Sequence, residues 1–582
     1  MQNKLKKLFR GKRSFSKRIG LACFPSFAFS FLLFFSGPFD FTFENKNYFS
    51  FSLLNIIPVL ALITGISFLI FLTAAAVPGG KIHAFLVCLY TGVSTAMYVQ
   101  KTYLNPDFGV LDGHTVNWSS FSSLMLKNLV IWLLILLLPH FLHFLSNRFW
   151  RCFTVILSLV LILVQGYRIY TEISGLTKGE HSAAAARYLS GENMLKVGHG
   201  KNIVVFLLNE TSNEDLKSLG KKFPEVLAPF HDFTYFDNAN SHYMHTVPSL
   251  VNLLTAEEWN CETVHIKDYM SGAWNVERTA SFYQNLSEDG FERNFYLHLP
   301  YLTDDASAVQ NVISNLKQAD REYSINYGSL LNLYKISFYH LCPLMLKPFF
   351  MLSVFDANDL IYRKDAFTDE WEFAAKMNEN RLSAGNFQNA FIFYYLPGVH
   401  PPYQIDEKGQ LISENMGFGS PDMSVKEKQL AGFLSLISDY LEQMRSMGLY
   451  DDLGIVILSD HGNNSEKKSD HQPVYLIKMP EEQREMMEEN HAPITIQDSF
   501  LADVMEMTGR DGSGWGIPSA MVPDLPAERW TRTFAKDNSF PSIEGGSYNV
   551  MREYRYDRDG DYLTEIWAAG DFSVIPIIDS YY

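Results

Sequence analysis

Asp460 and His461 stand side by side in Gly454-Ile-Val-Ile-Leu-Ser-Asp-His-Gly462. An aspartate oxygen and an imidazole nitrogen are both good ligands for Zn²⁺, and Gly462 lets the backbone turn away sharply behind them. Glu210 closes a second apolar run, Asn202-Ile-Val-Val-Phe-Leu-Leu-Asn-Glu-Thr211. It joins Asp460 and His461 if the two runs are neighbouring strands; it serves equally as a helix cap, since Glu214 and Asp215 suit a helix N-terminus just beyond. Thr246 precedes a proline in Thr246-Val-Pro-Ser-Leu250. Proline fits the first turn of a helix, and the free N–H groups there favour an anion such as a phosphoryl group. A threonine in that place also works as a plain N-cap. His400, on the proline-shaped loop Pro397-Gly-Val-His-Pro-Pro-Tyr403, and His471, in the polar loop after His461, supply two titratable rings.

These side chains need a scaffold. The short Ile- and Val-rich run 454–458 reads as a strand buried on both faces, as in a parallel sheet, and ligands bind at the carboxyl edge of open α/β sheets. Runs 202–208, 233–236, 293–299, 389–396 and 473–479 read as further strands. Ser424 and Glu427 form a capping box ahead of Leu430, Phe433, Leu434, Ile437, Leu441 and Met444, and Gly448 closes that helix. It leads into the Asp460-His461 strand as half of a βαβ unit. The polar, aromatic tail after about residue 540 suits a terminal hairpin.

Composition divides the chain. Residues 1–200 hold 18 Lys and Arg against 7 Asp and Glu, and the remainder 30 against 57. The first part carries apolar segments near 19–37, 51–77, 82–100, 124–146 and 152–170, each long enough to cross roughly 30 Å of hydrocarbon as a helix. No small-residue cleavage site follows the first, which therefore reads as a retained helix. Eight Lys and Arg lie within 4–18; Lys81, Arg148 and Arg151 fall in the even-numbered loops, and Asp40, Glu44, Asp107 and Asp112, with Lys46 and Lys101, in the others. The positive-inside rule then puts the N-terminus in the cytoplasm and everything beyond about 171 outside, in a multi-pass protein of the cell membrane. Residues 171–200 suit a linker, either an interfacial helix or a plain connector. Residues 201–582 form the exterior domain, strongly acidic and without a nucleic-acid partner. Segment 335–355 is apolar but interrupted by Lys335, His340, Pro343, Lys347 and Pro348, so it either touches the bilayer or joins the core. Cys261 and Cys342 are the two exterior cysteines and are free to pair in an oxidising compartment.

Taken in order, strand–Glu210, Thr246-x-Pro-Ser249, His400-Pro-Pro-Tyr403, Ser459-Asp-His-Gly462 and His471 ahead of a strand resemble the sulfatase and alkaline-phosphatase superfamily. With five helices ahead of one exterior domain, the chain resembles the membrane-anchored phosphoethanolamine transferases and, more distantly, the lipoteichoic acid synthases. The resemblance implies a mostly parallel α/β catalytic domain of the alkaline-phosphatase type. It implies a Zn²⁺ site (or another divalent cation) made of Glu210, Asp460, His461 and the oxygen of Thr246. Thr246 would be the nucleophile, with His400 and His471 handling phosphoryl oxygens and protons. It further implies a phospholipid donor and a surface glycan or lipid-sugar acceptor. Two departures stand out. The sulfatases' modifiable Cys or Ser and their Arg are replaced in Thr246-Val-Pro-Ser-Leu250, and the transferases' Gly-Glu-Thr-Ala-Arg reads Asn209-Glu-Thr-Ser-Asn213. A hydrolase of phosphate or sulfate esters, and a membrane sensor without chemistry, are the alternatives. Thr211, beside Glu210, is the competing nucleophile.

Overall fold

The computed structural model describes residues 15–44, 53–106, 118–178, 187–303, 305–318, 324–350, 360–362, 365–367, 369–412, 423–463, 468–481, 486–522, 529–535, 548–557, 559 and 562–572. Residues 4–13, Lys46, Asp107, Asp112, 183–186 and 540–547 lie outside them. Two compact units form: 1–186 with 320–363, and 187–319 with 364–576.

The first unit is helical. α1 (Phe15–Glu44) carries a wider π turn at Leu32–Ser36. α2 (Leu53–Ala76), α3 (Gly80–Leu104), α4 (Ser122–Leu145) and α5 (Asn147–Lys178) follow. All five are long and apolar enough to cross a membrane. Their sequences leave no polar face, so apolar side chains such as Leu62, Leu134 and Phe144 remain outward.

The second unit is α/β. Its main elements, in chain order, are β1 (Asn202–Leu208), α6 (Asn213–Lys222), β2 (Thr234–Phe236), α7 (Thr246–Thr255) and β3 (Phe291–Tyr296). Then α8 (Tyr327–Leu341) departs to the first unit. β4 (Asn389–Leu396), α9 (Val425–Ser446), β5 (Leu453–Leu458), β6 (Tyr475–Lys478), β7 (Glu488–Asn490) and α10 (Ile496–Thr508) complete the fold. The strand order is β7-β2-β6-β5-β1-β4-β3. β5, β1, β4 and β3 run parallel, while β6 lies antiparallel to both β5 and β2. Successive β1 residues face opposite ways: Val204, Phe206 and Leu208 pack with α9, and Ile203, Val205 and Leu207 with α7 and α10. Covering on both faces explains why every residue of β1 and β5 is buried. The capping box Ser424–Glu427 starts α9 as expected. The tail beyond 540 pairs as the expected hairpin, β9 (Tyr548–Tyr556) with β10 (Tyr562–Phe572), and β8 (Arg529–Ala535) adds a third antiparallel strand beside β9.

Other expectations change. The described part of 187–200 is not a helix on a membrane. Arg187–Leu189 pairs with Leu316–Gln318, and Met194, Leu195 and Val197 are buried in the core of the second unit. Residues 320–363, expected in the exterior domain, cluster with the five helices. Cys261 and Cys342 are both buried and unbridged, Cys261 against Met551 and Cys342 donating to Tyr339 O.

Candidate active site at the carboxyl edge of the sheet

Register places the motifs together before any side chain is considered. Leu458 of β5 lies opposite Leu207 of β1, and Leu396 of β4 opposite Leu208. The residues that follow these strands, Ser459 to His461, Asn209 to Thr211 and Pro397 to His400, therefore emerge at one edge.

That edge is closely stitched. The Asn209 N–H donates to Leu396 O (2.9 Å), and the Val399 N–H to Asn209 O (3.1 Å). Gly398 has φ +58°, and a Cβ there would strike the backbone of Asn209, so only glycine fits. The Thr211 N–H donates to Ser459 Oγ (2.9 Å), which in turn donates to His461 O (2.6 Å). Ser459 thus joins the two strand ends, a role its place in the motif did not announce. A Cβ on Gly462 would strike the Asp470 carbonyl and His471. The expected turn there is a close approach of two backbones.

Glu210 takes a left-handed conformation, φ 58°, uncommon for a residue with a side chain. Its N–H donates to Asp460 Oδ1 (3.2 Å). It does not cap α6: Ser212 and Asp215 form that capping box between themselves, which sets aside the plain helix-cap reading of Glu210.

Asp460 has no solvent exposure, and its second oxygen, Oδ2, has no hydrogen-bond partner. Oδ2 lies 3.4 Å from His461 Nε2. His461 Nδ1 sits 2.7 Å from Gly462 O, an acceptor only, so Nδ1 donates there and Nε2 is the ring atom that faces the carboxylate. A buried carboxylate oxygen that accepts no hydrogen bond calls for a positive charge beside it. Thr246 Oγ1 completes the trio, 3.5 Å from His461 Nε2. His461 also follows the pattern of metal-bound histidines, which donate their second ring N–H to a carbonyl. Asp460, His461 and Thr246 therefore fit a divalent ion, and their mixed N and O donors suit Zn²⁺. Among the described residues no three His, Cys, Asp or Glu side chains form a ligand cluster. Glu210 thus meets Asp460 through its backbone, and its carboxylate is not gathered with the other two.

Thr246 is the first residue of α7; the cap position belongs to His245, whose side chain makes no capping bond. The plain N-cap reading of Thr246 fails on this geometry. The Tyr395 hydroxyl shares a hydrogen bond with Thr246; burial first, then the charges of Asp460 and Glu370, hold that phenol well above its ordinary pKa. Thr211, the competitor, is fully buried with its hydroxyl 3.4 Å from Asn209 O.

His400 sits on a loop anchored by α9: Gln429 Nε2 donates to Gly398 O (3.1 Å) and His400 O (3.0 Å). His400 Nδ1 lies 2.5 Å from Pro401 O. His471 is buried, with Nδ1 2.6 Å from the Tyr556 hydroxyl of β9 and its ring 5.0 Å from that of Tyr554. The three-stranded sheet also fixes the approach to Thr246. The Arg532 N–H donates to His242 O (2.8 Å), the Met244 N–H to Arg532 O (2.9 Å), and the Phe534 N–H to His245 Nε2 (3.0 Å). Burial, with His461 adding to it, pushes His245 down to about 3.

A second flank went unread in the sequence. The rings of Tyr301 and Tyr395 lie 5.4 Å apart, and Tyr301 shares a hydrogen bond with Glu370. Burial, then Asp369, pushes Glu370 up to about 8, with Asp460 adding to it. Nearby His298, 5.6 Å from Tyr301 ring to ring, is pushed down to about 4 by burial. The only sequence signal was a pair of tyrosines ending an apolar strand, which reads as core.

No family model matches the chain, and no curated protein does. Solved structures do. The chain is similar to a sulfatase from a Bacteroides thetaiotaomicron locus for glycosaminoglycan metabolism, with 11% identity over 64% of this chain and 90% of that one, and a TM-score of 0.35. It is similar to an alkaline phosphatase superfamily protein of Vibrio parahaemolyticus, with 9% identity, 68% and 88% coverage, and a TM-score of 0.34. The lipoteichoic acid synthase LtaP of Listeria monocytogenes matches at 12% identity, with 68% and 93% coverage and a TM-score of 0.32.

Proposed function

We propose that this chain is a membrane-bound, metal-dependent phosphotransferase of the alkaline-phosphatase type, with Thr246 as nucleophile. The observation that carries it is the trio at the sheet edge: Thr246 Oγ1 and the unpartnered Asp460 Oδ2 both lie within 3.5 Å of His461 Nε2. Asp460, His461 and Thr246 would hold a divalent ion, which would make the weakly nucleophilic threonine oxygen reactive at neutral pH; the Glu210 carboxylate, implied as a further ligand by the resemblance, is not gathered with them.

Thr246 Oγ1 forms a bond to the phosphorus of a phospholipid head group. The bond from phosphorus to the diacylglycerol oxygen breaks, and its electron pair leaves on that oxygen. His400, positioned by Gln429, takes the proton lost by Thr246 and gives it to the departing oxygen. His471, braced by Tyr556, holds phosphoryl oxygens. Tyr395 steadies Thr246 by hydrogen bonding, and the N-terminus of α7 faces the resulting phospho-threonine. A hydroxyl of a surface glycan or lipid sugar then bonds to the phosphorus, the bond from phosphorus to Thr246 Oγ1 breaks, and the acceptor's proton passes through His400 to Oγ1, restoring the free threonine. The transferred group is a phosphoethanolamine-like phospho-substituent. Five apolar helices keep the enzyme in the plane of such a donor, with the N-terminus cytoplasmic and the catalytic domain outside.

Full-length protein with added Zn²⁺ and phospholipid should release diacylglycerol over many turnovers only when a sugar acceptor is present, and no more than one equivalent per enzyme without it. Release at the same rate without any acceptor identifies water as the acceptor and a hydrolase. No release under either condition contradicts the phosphotransferase reading.

A further inference from the structure

Residues 327–349 leave the sequence of the second unit and pack in the first. On one side of α8, Leu330, Leu333 and Ile336 share a core with Phe39, Phe41, Leu53 and Ile56. Gly37 permits the approach, since a Cβ there would meet Ser337 Oγ; small residues at helix crossings allow such contact. Leu341 goes deeper, into a cluster with Leu32, Met97 and Trp132. The ends of the five helices alternate along the chain, so Glu44 and Ser122 belong to the same end of the bundle. Leu32 lies twelve residues before Glu44, and Trp132 ten after Ser122. With Met97, in the same cluster, seven residues before Leu104 and His340 O bonded to Asn105 just beyond it, Leu341 packs on the order of 10 Å below that end at about 1.5 Å per residue.

The descending segment satisfies its own backbone. Asn105 Nδ2 donates to His340 O (3.1 Å), the Leu344 N–H to Asn128 Oδ1 (3.0 Å), and Lys347 to Tyr339 O. A helix ending out of reach of water needs such partners. The other side is apolar. Tyr327, Leu331 and Phe338 share one exposed stripe with Lys335, and Met345, Leu346 and Phe349 extend it; Phe349 is 84% exposed. The bundle beside it turns equally apolar side chains outward, so the two surfaces form one lipid-compatible belt.

We infer that 327–349 is a re-entrant segment that enters the bilayer at this end of the bundle and sets Phe338, Leu346 and Phe349 against acyl chains. It needs no assumption about the reaction, only that the five helices span a bilayer. Lys335, exposed in that stripe, has a stem long enough to cover apolar surface while its ammonium stays at the interface.

The test uses full-length protein in phospholipid nanodiscs, where water reaches both leaflets. Phe338→Cys, Leu346→Cys and Phe349→Cys are each labelled with a water-soluble maleimide, and labelling is read peptide by peptide so that native cysteines do not interfere. Lys221→Cys, on exposed α6, is the reference. Labelling at least ten times slower than the reference at two or more of the three positions supports the re-entrant segment. A smaller difference overturns it. Three independent positions keep the result decisive if one variant fails to assemble.

Discussion

Acids wholly or partly withdrawn from solvent occur in both units, and they are treated differently. Among the five helices each acid meets a cation: Asp40 pairs with Lys101, while Arg168 Nη2 lies 2.8 Å from Glu44 and Arg168 Nε 2.7 Å from Glu172. At the sheet edge Asp460 and Glu210 have no Lys or Arg partner among the described residues; Asp460 Oδ1 accepts from the Glu210 N–H, and Oδ2 faces His461 Nε2. The first arrangement closes its electrostatics within the chain. The second leaves a place for a charge from outside, as expected where acids bind rather than brace.

Substitution should separate the two. Asp460→Asn should lower transfer by about a thousandfold and remove bound metal. Because Oδ2 accepts no hydrogen bond from the chain, the change should not destabilise protein stripped of metal by a chelator. A loss of metal-free stability larger than about 1 kcal/mol would make Asp460 a structural residue like Asp40. Asp40→Asn should do the reverse. It strands Lys101 and should lower stability by about 3–5 kcal/mol, read as an earlier unfolding midpoint, with unchanged turnover per folded molecule. Gln429→Leu comes next: losing its two donors to the Gly398–His400 loop should reduce kcat by about tenfold, at a stability loss of about 1–3 kcal/mol. Unaltered kcat would detach His400 from the chemistry.

Glu370 gives the smallest effect and a defined sign. With no cation beside it, its carboxyl is raised by burial to about 8. The folded state therefore holds a proton that the unfolded state releases near pH 4.5, so this stabilisation is complete below 4.5 and is lost as pH rises toward 8. Glu370→Gln should match the wild-type unfolding midpoint near pH 4.5 and exceed it progressively by pH 8. A pH-independent difference would show that the carboxyl is ionised throughout.

Much of this was readable because the decisive residues sit in local patterns. Each of Glu210, Asp460 and His461 follows a short apolar strand, Thr246 opens a helix at a proline, and the capping box Ser424–Glu427 marks α9. What stayed hidden depends on distant partners. Tyr395 looks like core until Thr246 is placed beside it. His471 is explained only by Tyr556, 85 residues later in a polar tail. Segment 335–355 was ambiguous because buried core and lipid select the same apolar side chains; Ser337 against Gly37 and Leu344 bonded to Asn128 place its described part with the five helices. The left-handed turn at Glu210 has no signal in residue type.

The central claim, that Thr246 carries the transferred group, is tested most directly by mass. Full-length protein loaded with Zn²⁺ and given phospholipid without acceptor should gain one phospho-substituent, located on Thr246 by peptide fragmentation. Thr246→Ser should keep the adduct at reduced yield, and Thr246→Ala should lose both adduct and turnover. Near-normal transfer by Thr246→Ala, or an adduct on Thr211, would contradict the account.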